Sequence, residues 1–164
     1  MIRSTTVLWL LAGLLFAALS GVAVYRVWPL LNPQAALVAP LDESCDLRAG
    51  PCMSTFPNGA RVSLSITPRS IPVVQPLRLQ VAVAGVSATA VQVDFQGVDM
   101  NMGFNRRTLA ATGDGRFAGD GMLPVCVRDA MEWEVKVLVE SDDGLLAAPF
   151  RFVTVKPGMA APDG

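Results

Sequence analysis

Nineteen consecutive uncharged residues, VLWLLAGLLFAALSGVAVY from Val7 to Tyr25, restrict what the front of this chain can become. In hydrocarbon every backbone polar group must bond within its own segment, so such a run folds as a helix. At 1.5 Å per residue it covers about 28 Å, close to the thickness of a bilayer core. Arg3 and Arg26 flank it, and Trp9, Tyr25 and Trp28 sit near its two ends, where amphipathic rings favour the headgroup level. Pro29 and Pro33 are expected to stop the helix. A cleaved signal peptide is the competing reading, with Ala18-Leu19-Ser20 before Gly21 as the small-residue site. The apolar run continues past that site through Val22, Val24 and Tyr25, which favours an uncleaved anchor. One arginine on each side leaves little orientation signal.

The chain is 52% hydrophobic and 16% charged, which excludes an intrinsically disordered class. Only Arg3 and Arg26 precede residue 32, so the remainder carries eleven basic and fourteen acidic residues, a net of −3. That balance gives no footprint for nucleic acid and no reason to adhere to anionic lipid. With no histidine, most catalytic triads and zinc sites are removed. The expected organisation is an anchor at 1–31, a Pro/Ala/Leu-rich linker at 32–44, a β domain at 45–156 and a disordered tail at 157–164.

In the β domain the dominant period is two. Val62, Leu64 and Ile66 alternate with Arg61, Ser63 and Ser65, and Leu77, Leu79, Val81 and Val83 alternate with Arg78, Gln80 and two alanines. The same holds for Val91, Val93 and Phe95, and for Trp133, Val135, Val137 and Val139. These are half-buried strands by pattern, with a last strand expected over Pro149–Val155. Gly113-Asp114-Gly115 and Asp142-Asp143-Gly144 supply hairpin turns, and Pro68, Pro72 and Pro76 mark a long non-strand connection. About seven or eight short strands at regular spacing predict an all-β fold, an N-terminal transmembrane helix followed by an antiparallel immunoglobulin-like β-sandwich.

Cys45 and Cys52 lie seven apart in CDLRAGPC and are expected to form a local disulfide outside the cytoplasm. The spacing is not that of a redox CxxC. Cys126 is then the odd thiol. In DMNMGFN, Met100 and Met102 would share one face of a strand, roughly 7 Å apart at the backbone. In GDGMLPVC, Met122 and Cys126 would also share a face. Thioether and thiolate ligands select Cu(I), and without imidazole they disfavour Zn(II) and Cu(II). Met100, Met102, Met122 and Cys126 are therefore the candidate metal ligands, with Cu(I) the candidate cofactor and the Trp133 ring a possible cap through cation–π attraction. Met53, beside Cys52, could join them only if the fold brought that part of the chain round. The opposing reading is packing, since methionine fills cores and free cysteine behaves as a small buried hydrophobe.

The runs VDFQGVDMNMGFNRRTL, GRFAGDGMLPVC and MEWEVKV resemble a family of small proteobacterial membrane-anchored proteins. In layout, an anchor followed by a β-sandwich, the chain also resembles the FixH-like and YtkA-like envelope proteins. That resemblance implies a role in copper handling or respiratory oxidase assembly, with a copper chaperone or an oxidase subunit as partner. Relatives of that kind often pair histidine with methionine, and this chain has no histidine.

Other chemistry is set aside. GDGRFAGDG lies between strands without a following helix and reads as turns, not a phosphate loop. Cys126 would lack a histidine base, and neither Lys136 nor Lys156 stands in a Ser-x-x-Lys arrangement. The aspartates lack calcium-loop spacing. Arg106-Arg107 is expected to guard a strand edge. The sequence thus predicts a non-catalytic protein of the bacterial inner membrane with its C-terminal domain in the periplasm. Its alternative is a metal-free interaction domain that docks a membrane-complex partner. A redox role for Cys126 against Cys45 and Cys52 ranks third.

Overall fold

The computed structural model describes residues 2–31, 35–100, 103, 105–125 and 130–155, with the helix side chains described over 7–26. The chain divides into two compact units, Met1–Gln34 and Ala35–Gly164. The first is a single α-helix, α1 (Ile2–Leu31), in which Val7–Arg26 is a 20-residue stretch long and apolar enough to cross a membrane. Length and composition of this kind also suit a signal sequence. The helix passes Pro29 by two residues, where it was expected to stop. It does so without the bond that a residue 29 N–H would have made to the carbonyl of Tyr25.

The second unit is built of β1 (Leu37–Val38), β2 (Cys52–Thr55), β3 (Arg61–Thr67), β4 (Leu77–Ala84), β5 (Ala88–Gly97), β6 (Arg106–Gly113), β7 (Arg116–Gly121), β8 (Ala130–Ser141) and β9 (Gly144–Val155). Their order across one curled mixed sheet is β1-β9-β8-β5-β6-β7-β4-β3-β2. The β1–β9 pair is parallel and the other pairs are antiparallel. The curl turns at β6. Its first half pairs with β5 (Val91 opposite Leu109) and its second half with β7 (Ala110 opposite Ala118).

Curling brings the inner rows of both halves into one core. Val62, Leu64 and Ile66 of β3 and Leu79 and Val81 of β4 belong to the same buried cluster as Val91, Val93 and Phe95 of β5 and Trp133, Val135 and Val137 of β8. Burial alternates along β4 in strict period two, as the sequence pattern requires. The burial of apolar rows on the concave side is the main stabilising contribution. At the turns, Asp114 at φ 52°, Gly113, Gly115 and Gly144 take positive φ as expected.

Three local expectations are corrected. Leu37–Val38 is not free linker: Ala36 N–H donates to Leu145 O and Ala39 N–H to Ala147 O, seating β1 on β9. β9 begins at Gly144, ahead of Pro149, because Leu146, Ala147 and Ala148 are all buried and the alternating signal is lost there. Arg106 stands on the part of β6 that pairs only with β5, and its guanidinium is engaged by the buried Asp94 at 3.1 Å instead of standing free as an edge guard.

A candidate sulfur site at one end of the sheet

Strand directions sort the connections into two groups. The hairpins at 56–60, 114–115 and 142–143 lie at one end, together with the entry of the chain at Ala36 beside Leu145. The connections 68–76, 98–105 and 122–129 leave the opposite end. β9 separates the two by roughly 36 Å, at about 3.3 Å per residue. Of the sulfur residues predicted as ligands, Met100 stands in the second of these connections and Met122 in the third.

The two connections are bonded to each other. Asn105 Nδ2–H donates to Met122 O at 3.0 Å, and Phe95 N–H donates to Asn105 O at 3.1 Å, so Asn105 joins the end of β7 to β5. A third connection joins them: Val74 N–H donates to Leu123 O at 2.9 Å, next to the isolated parallel bridge between Val73 and Leu123. In this connection Ile71 and Val74 have φ of 43° and 57°, conformations costly for β-branched residues.

The individual residues are placed as follows. Met100 is half-buried and packs against the core cluster. Met122 is 42% exposed. Met102 and Cys126 lie outside the described residues. The shared strand face argued for the methionine pair does not hold at Met100, because β5 ends at Gly97 and residues 98–100 form a bend. Nor does Met122 stand on a strand, since β7 ends at Gly121. Trp133 lies at this end, opposite Gly97, but is fully buried, and its indole N–H donates to Thr154 Oγ1 at 2.9 Å. Its ring is therefore part of the core, and it could cap only a ligand set reached from the core side. Met53 is exposed on the outer face of β2, opposite Ser63.

Cys45 and Cys52 are joined in a disulfide, with Cα atoms 5.8 Å apart. The loop it closes packs toward the same end: Leu47 is buried, Arg48 Nη2–H donates to Val153 O, and Arg69 Nη1–H donates to Ala49 O at 2.6 Å. Ahead of it, the hydroxyl and backbone N–H of Ser44 both donate to Asp42, holding its carboxyl below the ordinary aspartate value.

Among the described residues no cluster of three or more His, Cys, Asp or Glu could hold a metal ion. The sequence names Met100 and Met122 but carries no sign of the two features that join their connections. Asn105 is one polar side chain among several, and the bridge from Val73 to Leu123 carries no local signal beyond its flanking prolines. Comparison with family models, with curated proteins and with solved structures finds no match for this chain.

Proposed function

We propose that this chain is a single-pass protein of the bacterial inner membrane that presents an immunoglobulin-like sandwich to the periplasm and binds Cu(I) through sulfur. Its role is that of a non-catalytic accessory to copper delivery or respiratory oxidase assembly, with a copper chaperone or oxidase subunit as partner. The observation that carries this reading is the Asn105–Met122 hydrogen bond, which brings the two sulfur-bearing connections to one end of the sheet. The apolar helix supports the anchor. The disulfide supports an oxidising compartment. The passage of β6 from one half of the sheet to the other supports a sandwich closed at a corner. Met100 and Met122 supply neutral soft donors and Cys126 a thiolate, a set matched to a monovalent soft cation.

Exposed Val74, Val98 and Val125 at the same end favour a second reading, a metal-free apolar dock for a membrane-complex partner. Titrating the full chain in detergent micelles with Cu(I) against a competing chelator separates the two. The copper reading expects one equivalent bound, and loss of binding in the Met100→Leu, Met122→Leu double variant, which keeps side-chain volume while removing sulfur. Absence of competition by the wild-type chain, or undiminished binding by the double variant, rejects it.

A further inference from the structure

The outer face of the β2–β3–β4–β7 half carries an independent feature. Register aligns Ser63, Ala82 and Arg116 in one cross-strand row, Ser65, Gln80 and Ala118 in the next, and Thr67, Arg78 and Asp120 in a third. Apart from Gln80, short side chains occupy the middle and long ones stand at the margins, leaving a shallow depression of about 500 Å³. Ser63, Ser65, Ala82 and Ala118 form its floor, and Arg78 and Arg116 rise at its two ends. Pro51 lines one side, fixed in place because its neighbour Cys52 is tied to Cys45.

The charge of this face runs against that of the domain. Arg61, Arg78 and Arg116 project from it and Asp120 is their one acidic counterpart on these strands, whereas residues 32–164 carry a net of −3. Arg78 and Asp120 pair at 3.2 Å with both side chains more than half exposed, an ion pair of small worth that an incoming carboxylate can exchange. The Arg116 guanidinium has no ion-pair or hydrogen-bond partner among the described residues.

We propose that this depression is a docking site for an acidic, extended polypeptide segment of a partner protein. Arg78 and the position opposite Arg116, Ala82, are four residues apart on β4, roughly 13 Å along the strand. An extended segment with carboxylates about four positions apart spans the same distance, so each can meet one guanidinium. Between them, the hydroxyls of Ser63 and Ser65 and the amide of Gln80 offer hydrogen bonds to the segment's backbone, and the alanines let it lie close. The depression reaches toward the sulfur-bearing end, since Asp120 stands two residues before Met122, but it uses no sulfur residue and stands whether or not copper binds there.

The test is calorimetric titration of the full chain in micelles with a synthetic Ser/Thr-rich peptide carrying two glutamates four positions apart. Saturable binding is expected, falling with added salt and weakened roughly tenfold by Arg116→Gln, the loss of one charge-assisted bond. Ala82→Tyr, on the exposed floor, is expected to abolish it while leaving the thermal unfolding midpoint unchanged. Absence of saturable binding, equal binding of a peptide with lysines in place of the glutamates, or indifference to Arg116→Gln overturns the proposal. Tighter binding of a sulfated polysaccharide than of the peptide also overturns it, by assigning the face to acidic glycans.

Discussion

The indole N–H of Trp133 on β8 donates to the hydroxyl of Thr154 on β9 at 2.9 Å, inside the core and beside the end that carries the sulfur residues. A buried donor left without its acceptor costs about 1–3 kcal/mol. Thr154→Val keeps the shape and removes the acceptor, so it is expected to destabilise the domain by that amount in urea unfolding followed by tryptophan fluorescence. Thr154→Ser keeps the hydroxyl and is expected to lose clearly less. Equal stability of the Val variant and the wild type would show that the bond contributes nothing.

On the other side of the sheet, Asp94 is 1% exposed at its side chain and takes Arg106 Nη2 and Gln96 Nε2 on a single oxygen, each at 3.1 Å. Its other oxygen, Oδ1, is buried without a partner among the described residues. Arg106→Met leaves the carboxylate with one neutral donor and is expected to cost about 1–3 kcal/mol, less than for a fully buried pair because Arg106 is one-third exposed. Adding Asp94→Leu removes the stranded charge, so the double variant is expected to regain much of the loss. A double-mutant cycle measures the coupling, and strict additivity would contradict it.

The disulfide makes a countable prediction. The chain has three cysteines, and Cys45 and Cys52 are bonded, so the denatured, unreduced protein is expected to titrate one thiol and the reduced protein three. Replacing both bonded cysteines with serine is expected to cost about 2–3 kcal/mol through the loop entropy released to the unfolded chain. Three thiols before reduction would contradict the pairing.

Gly115 follows Asp114 in the β6–β7 turn at φ +69°, and a Cβ there would stand 2.5 Å from Val83 O. Gly115→Ala is therefore expected to destabilise by about 1–3 kcal/mol. Gly50, where a Cβ meets open space, serves as the control and should change by less than about 0.5 kcal/mol on the same substitution. Differential scanning calorimetry distinguishes them, and equal midpoints would contradict the assigned turn geometry.

These variants also mark where the sequence was legible. Long strands with one wet face announce themselves, as Val62, Leu64, Ile66 and Leu77–Val83 do, because alternation is a local consequence of the pleat. So do turns that need positive φ, as at Gly113-Asp114-Gly115. The short strands were not legible. Leu37–Val38 has too few residues for a period, and its place is decided by the backbone of β9, more than a hundred residues away. Cys52–Thr55 is likewise held by β3 rather than by its own pattern. At the candidate site the chemistry of the sulfurs could be read but their context could not. Treating Met100 and Met122 as strand residues extended β5 and β7 past Gly97 and Gly121, where pairing stops. The assembly of those segments rests on Asn105 and on the Val73–Leu123 bridge, both long-range and invisible to periodicity.

The central claim, that two sulfur-bearing connections form one soft-metal site, is tested most directly by X-ray absorption at the copper edge on the full chain loaded with one equivalent of Cu(I). The expected spectrum has the edge of monovalent copper and a coordination shell of sulfur alone, with at least one scatterer lost in Met122→Leu. A shell dominated by nitrogen or oxygen, or a spectrum unchanged in that variant, would contradict it.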